Sequence, residues 1–314
     1  MRAEDRESVL DLLEHAFSVR ELFERYMDFD PGFSYSDLLL AVDACRPLSC
    51  VQIFAKPIRL QGERVLLGGI GSVATHESAR GRGLASELLR EAIPRMRARG
   101  MALSLLFTGR FGFYERLGWQ QISLRYFKLA PVGNPPESAD GVSLRAFRPD
   151  DLARLAALYD TYTEPLSGPT VRNRRYWVGQ LRTAGTPDED FRVAERAGEI
   201  LAYARAAAFG GRLRVIEYAR GAGGAAALAH LLAAFAPTDR RLPVPLVRDS
   251  ELGEALRALG FSIAPDEDPS PMWRVLDRST LARIAGAPED TPDSALLETL
   301  VGGPLVTYWP SDRF

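Results

Sequence analysis

Residues 66–86 place a glycine-rich turn between an apolar strand and an amphipathic helix, and few folds accommodate that order of elements. Leu66 to His76 reads as a strand bulged at Gly71 and Ser72, while Leu84, Leu88, Leu89, Ile93 and Met96 recur at helical spacing after the turn. The backbone N–H groups of residues 81 to 86 therefore point out of a helix N-terminus, unpaired and reinforced by the helix dipole, toward an anion. Gly81 and Gly83 lack a Cβ, so the backbone adopts positive φ there and approaches a phosphate closely. The turn is predicted to hold a diphosphate, with Val73, Ala74 and Thr75 at the strand end and Arg80, Gly81, Arg82, Gly83, Leu84, Ala85 and Ser86 in the loop as ligand-binding residues. A nucleotide-binding loop would need G-K-S/T, or an acidic residue about 20 positions on after a second parallel strand, and neither is present.

The order Arg80-x-x-Gly83-x-Ala85 resembles the acyl-CoA diphosphate loop of the GNAT N-acetyltransferase superfamily. A second block follows, a strand from Met101 to Thr108 and then Phe113-Tyr114-Glu115-Arg116-Leu117-Gly118-Trp119, which is similar to the F-Y-x-x-x-G-F/W segment of the same enzymes. The resemblance implies an α/β fold with a mixed sheet, acetyl-CoA as co-substrate, and a tyrosine, Tyr114, near the CoA sulfur.

The remaining composition agrees. The chain has 314 residues, 46% hydrophobic and 25% charged, a globular balance with room for two ordinary domains. A net charge of −2 gives no global basic field, which argues against a nucleic-acid partner. Between Ser78 and Lys128, however, ten basic residues (Arg80, Arg82, Arg90, Arg95, Arg97, Arg99, Arg110, Arg116, Arg125, Lys128) face only Glu87, Glu91 and Glu115, an excess suited to a phosphate-rich ligand. Cys45 and Cys50 are the only cysteines, too few for a disulfide framework, and both fall in a hairpin of residues 38–44 and 48–53. The polar start, Met1 to Ser8, lacks a secretory signal, and the longest apolar run, Ala225 to Ala236, is too short to span a bilayer and contains His230. A cytoplasmic protein without membrane contact is expected, and homo-oligomerisation is left open.

Along the chain, helices over 7–17 and 21–28 precede strands over 38–44, 49–60 and 64–76, the helix 83–99 with Pro94 inside it, and the strand and tyrosine block. A proline inside a helix costs about 3 kcal/mol and predicts a bend. Residues 1–130 are read as the catalytic domain and 131–141, with Pro131, Gly133, Pro135, Pro136 and Gly141, as a linker. Residues 142–277 repeat the same elements as a degenerate copy: strand 142–147, helices 150–162 and 173–182, strands 191–196, 199–208 and 213–219, helix 224–235, strand 244–247, helix 252–259 and the pair Gly260-Phe261. The second loop, Arg220-Gly221-Ala222-Gly223-Gly224-Ala225, matches the pattern, yet no tyrosine block follows, so it is read as a packing turn. Residues 278–314 form a short C-terminal tail. Met272 to Asp277 resembles the junction after the second GNAT unit in the enhanced-intracellular-survival acetyltransferases; there a sterol-carrier-like domain follows, and here most of it is missing. That resemblance implies a terminal phenylalanine carboxylate, here Phe314, as catalytic base. Leu305, Val306, Tyr308, Trp309 and Phe314 are too apolar for a solvated tail, which is therefore expected to dock on the first domain.

Acetyl transfer to an amine needs a fixed thioester, a neutral amine, an oxyanion donor and an acid for the leaving thiolate. Backbone groups of Val73 and Thr75 suit the third, Tyr114 the fourth. In the enhanced-intracellular-survival group the acidic tyrosine sits where this chain has Trp119, and an indole cannot serve. For the base, Phe314, Glu77, Asp28 and Asp30 all remain, and His76 ends the strand as a loop residue. No cluster has metal-ligand spacing and no covalent nucleophile is evident, so direct transfer in a ternary complex to a small-molecule or peptide amine is expected, with no metal. The competing readings are a protein similar to mycothiol synthase, in which the second copy carries the chemistry, and a non-catalytic acyl-CoA-sensing module.

Overall fold

The computed structural model describes residues 5–44, 46–132, 141–184, 189–209, 211–236, 242–245 and 249–314. Cys45, most of the expected linker and residues 246–247 of one expected strand lie outside them. The first half contains α1 (Arg6–Phe17), α2 (Arg20–Phe29), β1 (Leu38–Asp43), β2 (Arg46–Leu60), β3 (Glu63–Thr75), α3 (Leu84–Ala98), β4 (Met101–Phe107), α4 (Phe111–Glu115), β5 (Gln120–Gln121) and β6 (Leu124–Pro131). The second contains β7 (Val142–Ala146), α5 (Leu152–Thr163), α6 (Arg174–Ala184), β8 (Asp190–Arg196), β9 (Glu199–Phe209), β10 (Arg212–Arg220), α7 (Ala225–Phe235), β11 (Leu242–Pro245), α8 (Ser250–Ala258), β12 (Phe261–Asp268) and β13 (Pro271–Val275). Helices α9 (Arg278–Ala285) and α10 (Asp293–Val301) and a 3₁₀ turn at Pro310–Asp312 close the chain.

The fold is α/β with a mixed sheet, as the resemblance implies. The first sheet runs β1-β2-β3-β4-β13-β5, parallel only between β3 and β4. Two further sheets run β10-β9-β8-β7 and β11-β6-β12, all antiparallel. Hydrogen bonding thus crosses the boundary expected between residues 130 and 142. β6, from the first half, lies between β11 and β12, while β13, from the second, lies between β4 and β5, so each unit completes its sheet with a strand of the other. Both exchanged strands are apolar where they pair: Met272 and Trp273 are fully buried, and Leu129 likewise.

Alternation along β2 sorts its side chains onto two faces. Val51 and Ile53 join Ile70, Leu89, Ile93, Met96 and Leu106 under α3. Cys50 joins Val9, Leu10, Leu13 and Phe23 under α1 and α2, and Ile58 lies under the C-terminal segment, against Leu297, Leu300, Val306 and Tyr308. The C-terminal segment packs on the first sheet through Val306 and Tyr308, Trp309 is buried in the second unit's core, and Leu305 is exposed. Helix α3 continues through Pro94, which lies on its exposed side where the lost hydrogen bond opens to solvent.

Candidate active site

Two departures from regular strand geometry create the site. β3 pairs with β4 only over Leu66–Gly69, so from Ile70 onward the β3 edge facing β4 is open. A bulge opposite Val51 sets Cys50 against Ala74 and Gln52 against Gly71, and Ser72 takes φ 51° there. The bulge falls where the sequence placed it. His76 N–H binds Leu48 O at 2.8 Å on the β2 side, and because alternate residues of a strand direct their N–H groups to opposite edges, Val73 and Thr75 present theirs to the open edge.

Beyond β3, Gly81 (φ 79°) and Gly83 (φ 81°) turn the chain into α3. Gly83 is the N-cap, no side chain caps the helix, and a Cβ at Gly83 would meet nothing within 4 Å, so the first-turn N–H groups face open space. A cleft of about 510 Å³ lies there. Val73, Ala74, Thr75, Arg80, Gly81, Gly83, Leu84, Ala85 and Ser86 all line it, whereas Arg82 is exposed and lies outside the lining. Arg110, Phe113 and Tyr114 form the opposite wall, and Ala16 and Phe17 of α1 close one side. Nothing local in the sequence marks Ala16 or Phe17; they arrive through the packing of α1 on β2 and β3.

Tyr114 is 8% exposed, and burial pushes its phenol up to about 12, with the Arg110 charge opposing the rise. The side chain packs edge-on against Phe113 and Trp119, and its main-chain carbonyl accepts the N–H groups of Leu117 and Trp119. Trp119 itself is a core residue: its indole donates to Ser104 Oγ at 3.2 Å, which in turn donates to Gly68 O at 2.7 Å.

Phe314 reaches the opposite face of β3. Its ring stacks on Phe54 (centroids 5.4 Å apart) and touches Phe107 and Tyr308, lying directly over Gly69. Its main-chain carbonyl carbon and oxygen would lie 3.1 and 3.2 Å from a Cβ built on Gly71. Tyr114 and Phe314 thus flank the β3 strand that carries the open edge, one from the α3 side and one from the α1 side.

The other candidate bases are engaged elsewhere. Asp30 is buried and binds Lys56 Nζ through both oxygens at 2.8 Å, and also accepts Gly32 N–H. Asp28 pairs with Arg6 at 3.0 Å on the surface, and exposed Glu77 faces His15 at 3.8 Å. His76 caps the turn at Ser78, stacks on His15 and lies 2.7 Å from Arg46, which fits its reading as a loop residue. Among the described residues no group of three His, Cys, Asp or Glu is arranged to hold a metal ion, and no helix is long and apolar enough to cross a membrane.

In the second unit, Arg220 binds Asp249 through two nitrogens (2.7 and 2.8 Å) and Glu251 at 2.8 Å, so the loop arginine is already neutralised. A Cβ at Gly224 would lie 2.6 Å from Leu201 O. These contacts are those of a packing turn.

Residues 1–122 match the family model described as Acetyltransferase (GNAT) domain. No curated protein matches the sequence. In fold the chain is similar to a probable N-acyltransferase of unknown function from Enterococcus faecalis (17% identity, TM-score 0.70, covering 88% of this chain and 72% of that one). It is also similar to Eis1 from Mycobacterium abscessus (16%, TM-score 0.61, 90% and 74%) and to Saccharomyces cerevisiae N-myristoyltransferase with bound myristoyl-CoA (14%, TM-score 0.57, 87% and 79%). The family match thus falls on the first unit, and the solved structures share the fold of the chain.

Proposed function

We propose that this protein transfers an acetyl group from acetyl-CoA directly to a primary amine bound at the first unit. The observation that carries this reading is the convergence, at one strand edge, of an uncapped helix N-terminus, free strand N–H groups and a buried tyrosine. The first turn of α3, with Arg80 beside it, takes the diphosphate. Val73 and Thr75 pair with the pantetheine arm as a neighbouring strand would, and the thioester carbonyl then lies where one of their N–H groups stabilises the oxyanion. The amine nitrogen attacks that carbonyl carbon from the Phe314 side. On collapse the C–S bond breaks, Tyr114 gives its proton to the departing thiolate, and the amine proton leaves through a base. A phenol held near 12 stays protonated throughout the neutral range, as an acid must. In a chain ending at Phe314 the base is its main-chain carboxylate, acting directly or through one water, because Asp28, Asp30 and Glu77 are paired or remote on the surface.

Chemistry in the second unit is disfavoured by the Arg220–Asp249 pairing, and a purely sensing role leaves Tyr114 without a purpose. The deciding experiment incubates the protein with acetyl-CoA and a panel of aminoglycosides, polyamines, small amines and peptide N-termini, following free thiol release. Amine-dependent release from one class supports the proposal. Tight acetyl-CoA binding without release for any amine favours the sensing module.

A further inference from the structure

The second unit buries a group of charges that the acetyl-transfer chemistry does not touch. Arg172, Arg205, Glu217 and Asp312 are all buried, the first three from the second unit and Asp312 from the tail. The Arg172 guanidinium sits in the corner between the perpendicular rings of Tyr159 and Trp177, 4.2 and 4.4 Å from their centroids. It binds Glu217 twice, at 3.0 and 2.6 Å, and then Asp312 Oδ2 at 2.7 Å and Ser311 Oγ at 3.3 Å. Ser311 Oγ also donates to Glu217, Gln180 donates to Ser311 O at 3.0 Å, and Tyr176 and Tyr308 donate to Asp312. Trp309, fully buried, packs edge-on against Tyr218 beside Glu217.

A buried group of charges is often no more stabilising than an apolar core of the same shape, so stability alone does not account for it, and the best-attested use of such a group is to fix register. What it positions is the tail. Phe314 is only two positions beyond Asp312, a span of about 7 Å when extended, and Arg313, between them, adds a second hold through Asp268 and the face of Phe107. The tail therefore leaves the second unit fixed at Ser311 and Asp312 and enters the first over Gly69 and Gly71.

We infer that the second unit, having no acyl-CoA chemistry of its own, serves as a clamp: Arg172 and Glu217 are positioning residues that hold Asp312 and thereby set Phe314 on β3. This rests on the reading of Phe314 as the base, and the test separates the two. Asp312→Asn removes the tail's charge while leaving the Arg172–Glu217 pair intact, and Leu252→Ala, on the buried face of α8 in the second unit's core, is a control that lowers stability without touching the cluster. Three quantities are compared: kcat, acetyl-CoA affinity by calorimetry, and the rate at which carboxypeptidase A releases Phe314, followed by intact mass. The clamp predicts that Asp312→Asn cuts kcat at least tenfold and speeds release at least tenfold with acetyl-CoA affinity unchanged, while Leu252→Ala does neither. If the two variants behave alike, or if release accelerates while kcat stays native, the positioning role is overturned. Should Asp312→Asn not fold, Ser311→Ala, which removes a smaller part of the same hold, is read in the same way. If a chain extended beyond Phe314 keeps native kcat, the base reading fails, and the release measurement still decides whether the cluster holds the tail.

Discussion

The phenyl ring of Phe314 lies on the bare backbone of Gly69, so close that a Cβ there would overlap the ring. The two residues are neighbours only because the chain's last segment crosses from one unit to the other. Gly69→Ala is expected to displace the ring and lower turnover at least tenfold while acetyl-CoA affinity, set on the other side of the strand, changes little. Kinetics and calorimetry on the same preparation check this. Native turnover would mean that the ring's position is immaterial.

Gly83→Asp and Gly223→Asp form a matched pair, since each residue has positive φ (81° and 69°) and open space beside it. The backbone strain is therefore comparable, and only the first substitution puts a negative charge in the path of a diphosphate. Acetyl-CoA binding should vanish in Gly83→Asp and persist in Gly223→Asp, as measured by titration calorimetry. The reverse result would move the cofactor site to the second unit.

Tyr114→Phe should lower turnover by roughly 10²-fold, the scale of losing a positioned proton donor. Its acetyl-CoA affinity should be close to native. Unchanged turnover across the pH range would leave Tyr114 a core residue only.

In a chain ending at Phe314, an appended glycine takes the carboxylate from its place beside Gly71 and puts an amide there instead. Turnover is expected to fall at least tenfold with an unchanged melting temperature, because Asp312 and Trp309 still anchor the tail. Native kinetics would return attention to Glu77, Asp28 and Asp30.

Burial alone would raise the Glu217 carboxyl, but Arg172 and Arg205 hold it down, from an ordinary 4.5 to about 2. A carboxyl lowered on folding contributes stability that is complete above 4.5 and is lost as the pH falls toward 2. Glu217→Gln, which takes from the two buried guanidinium groups of Arg172 and Arg205 the carboxylate they share, should cost on the order of 3–5 kcal/mol at pH 7. That deficit should shrink steadily below pH 4.5 in urea unfolding series. A deficit independent of pH would show that the lost stability came from packing and not from charge.

The sequence by itself determined the parts of this protein that depend on neighbours a few residues apart. The bulged strand, the Gly81–Gly83 turn and the α3 stripe of Leu89, Ile93 and Met96 follow from periodicity and from glycine's access to positive φ, whereas Tyr114 is singled out by resemblance to the F-Y-x-x-x-G-F/W segment and does line the cleft. Tertiary structure decided what depends on long-range pairing. β6 and β13 are both short apolar strands able to fill the gap beside β4, and nothing in either spacing says that each belongs to the other unit's sheet. The hydroxyl of Ser104 turned Trp119 into the core, and the approach of α1 brought Phe17 to the cleft. Arg172 meets Glu217 and Asp312 across 45 and 140 residues of sequence. Such contacts are fixed by the summed burial of whole sheets and helices, where a charge is tolerated only once its partner has been delivered from elsewhere in the chain.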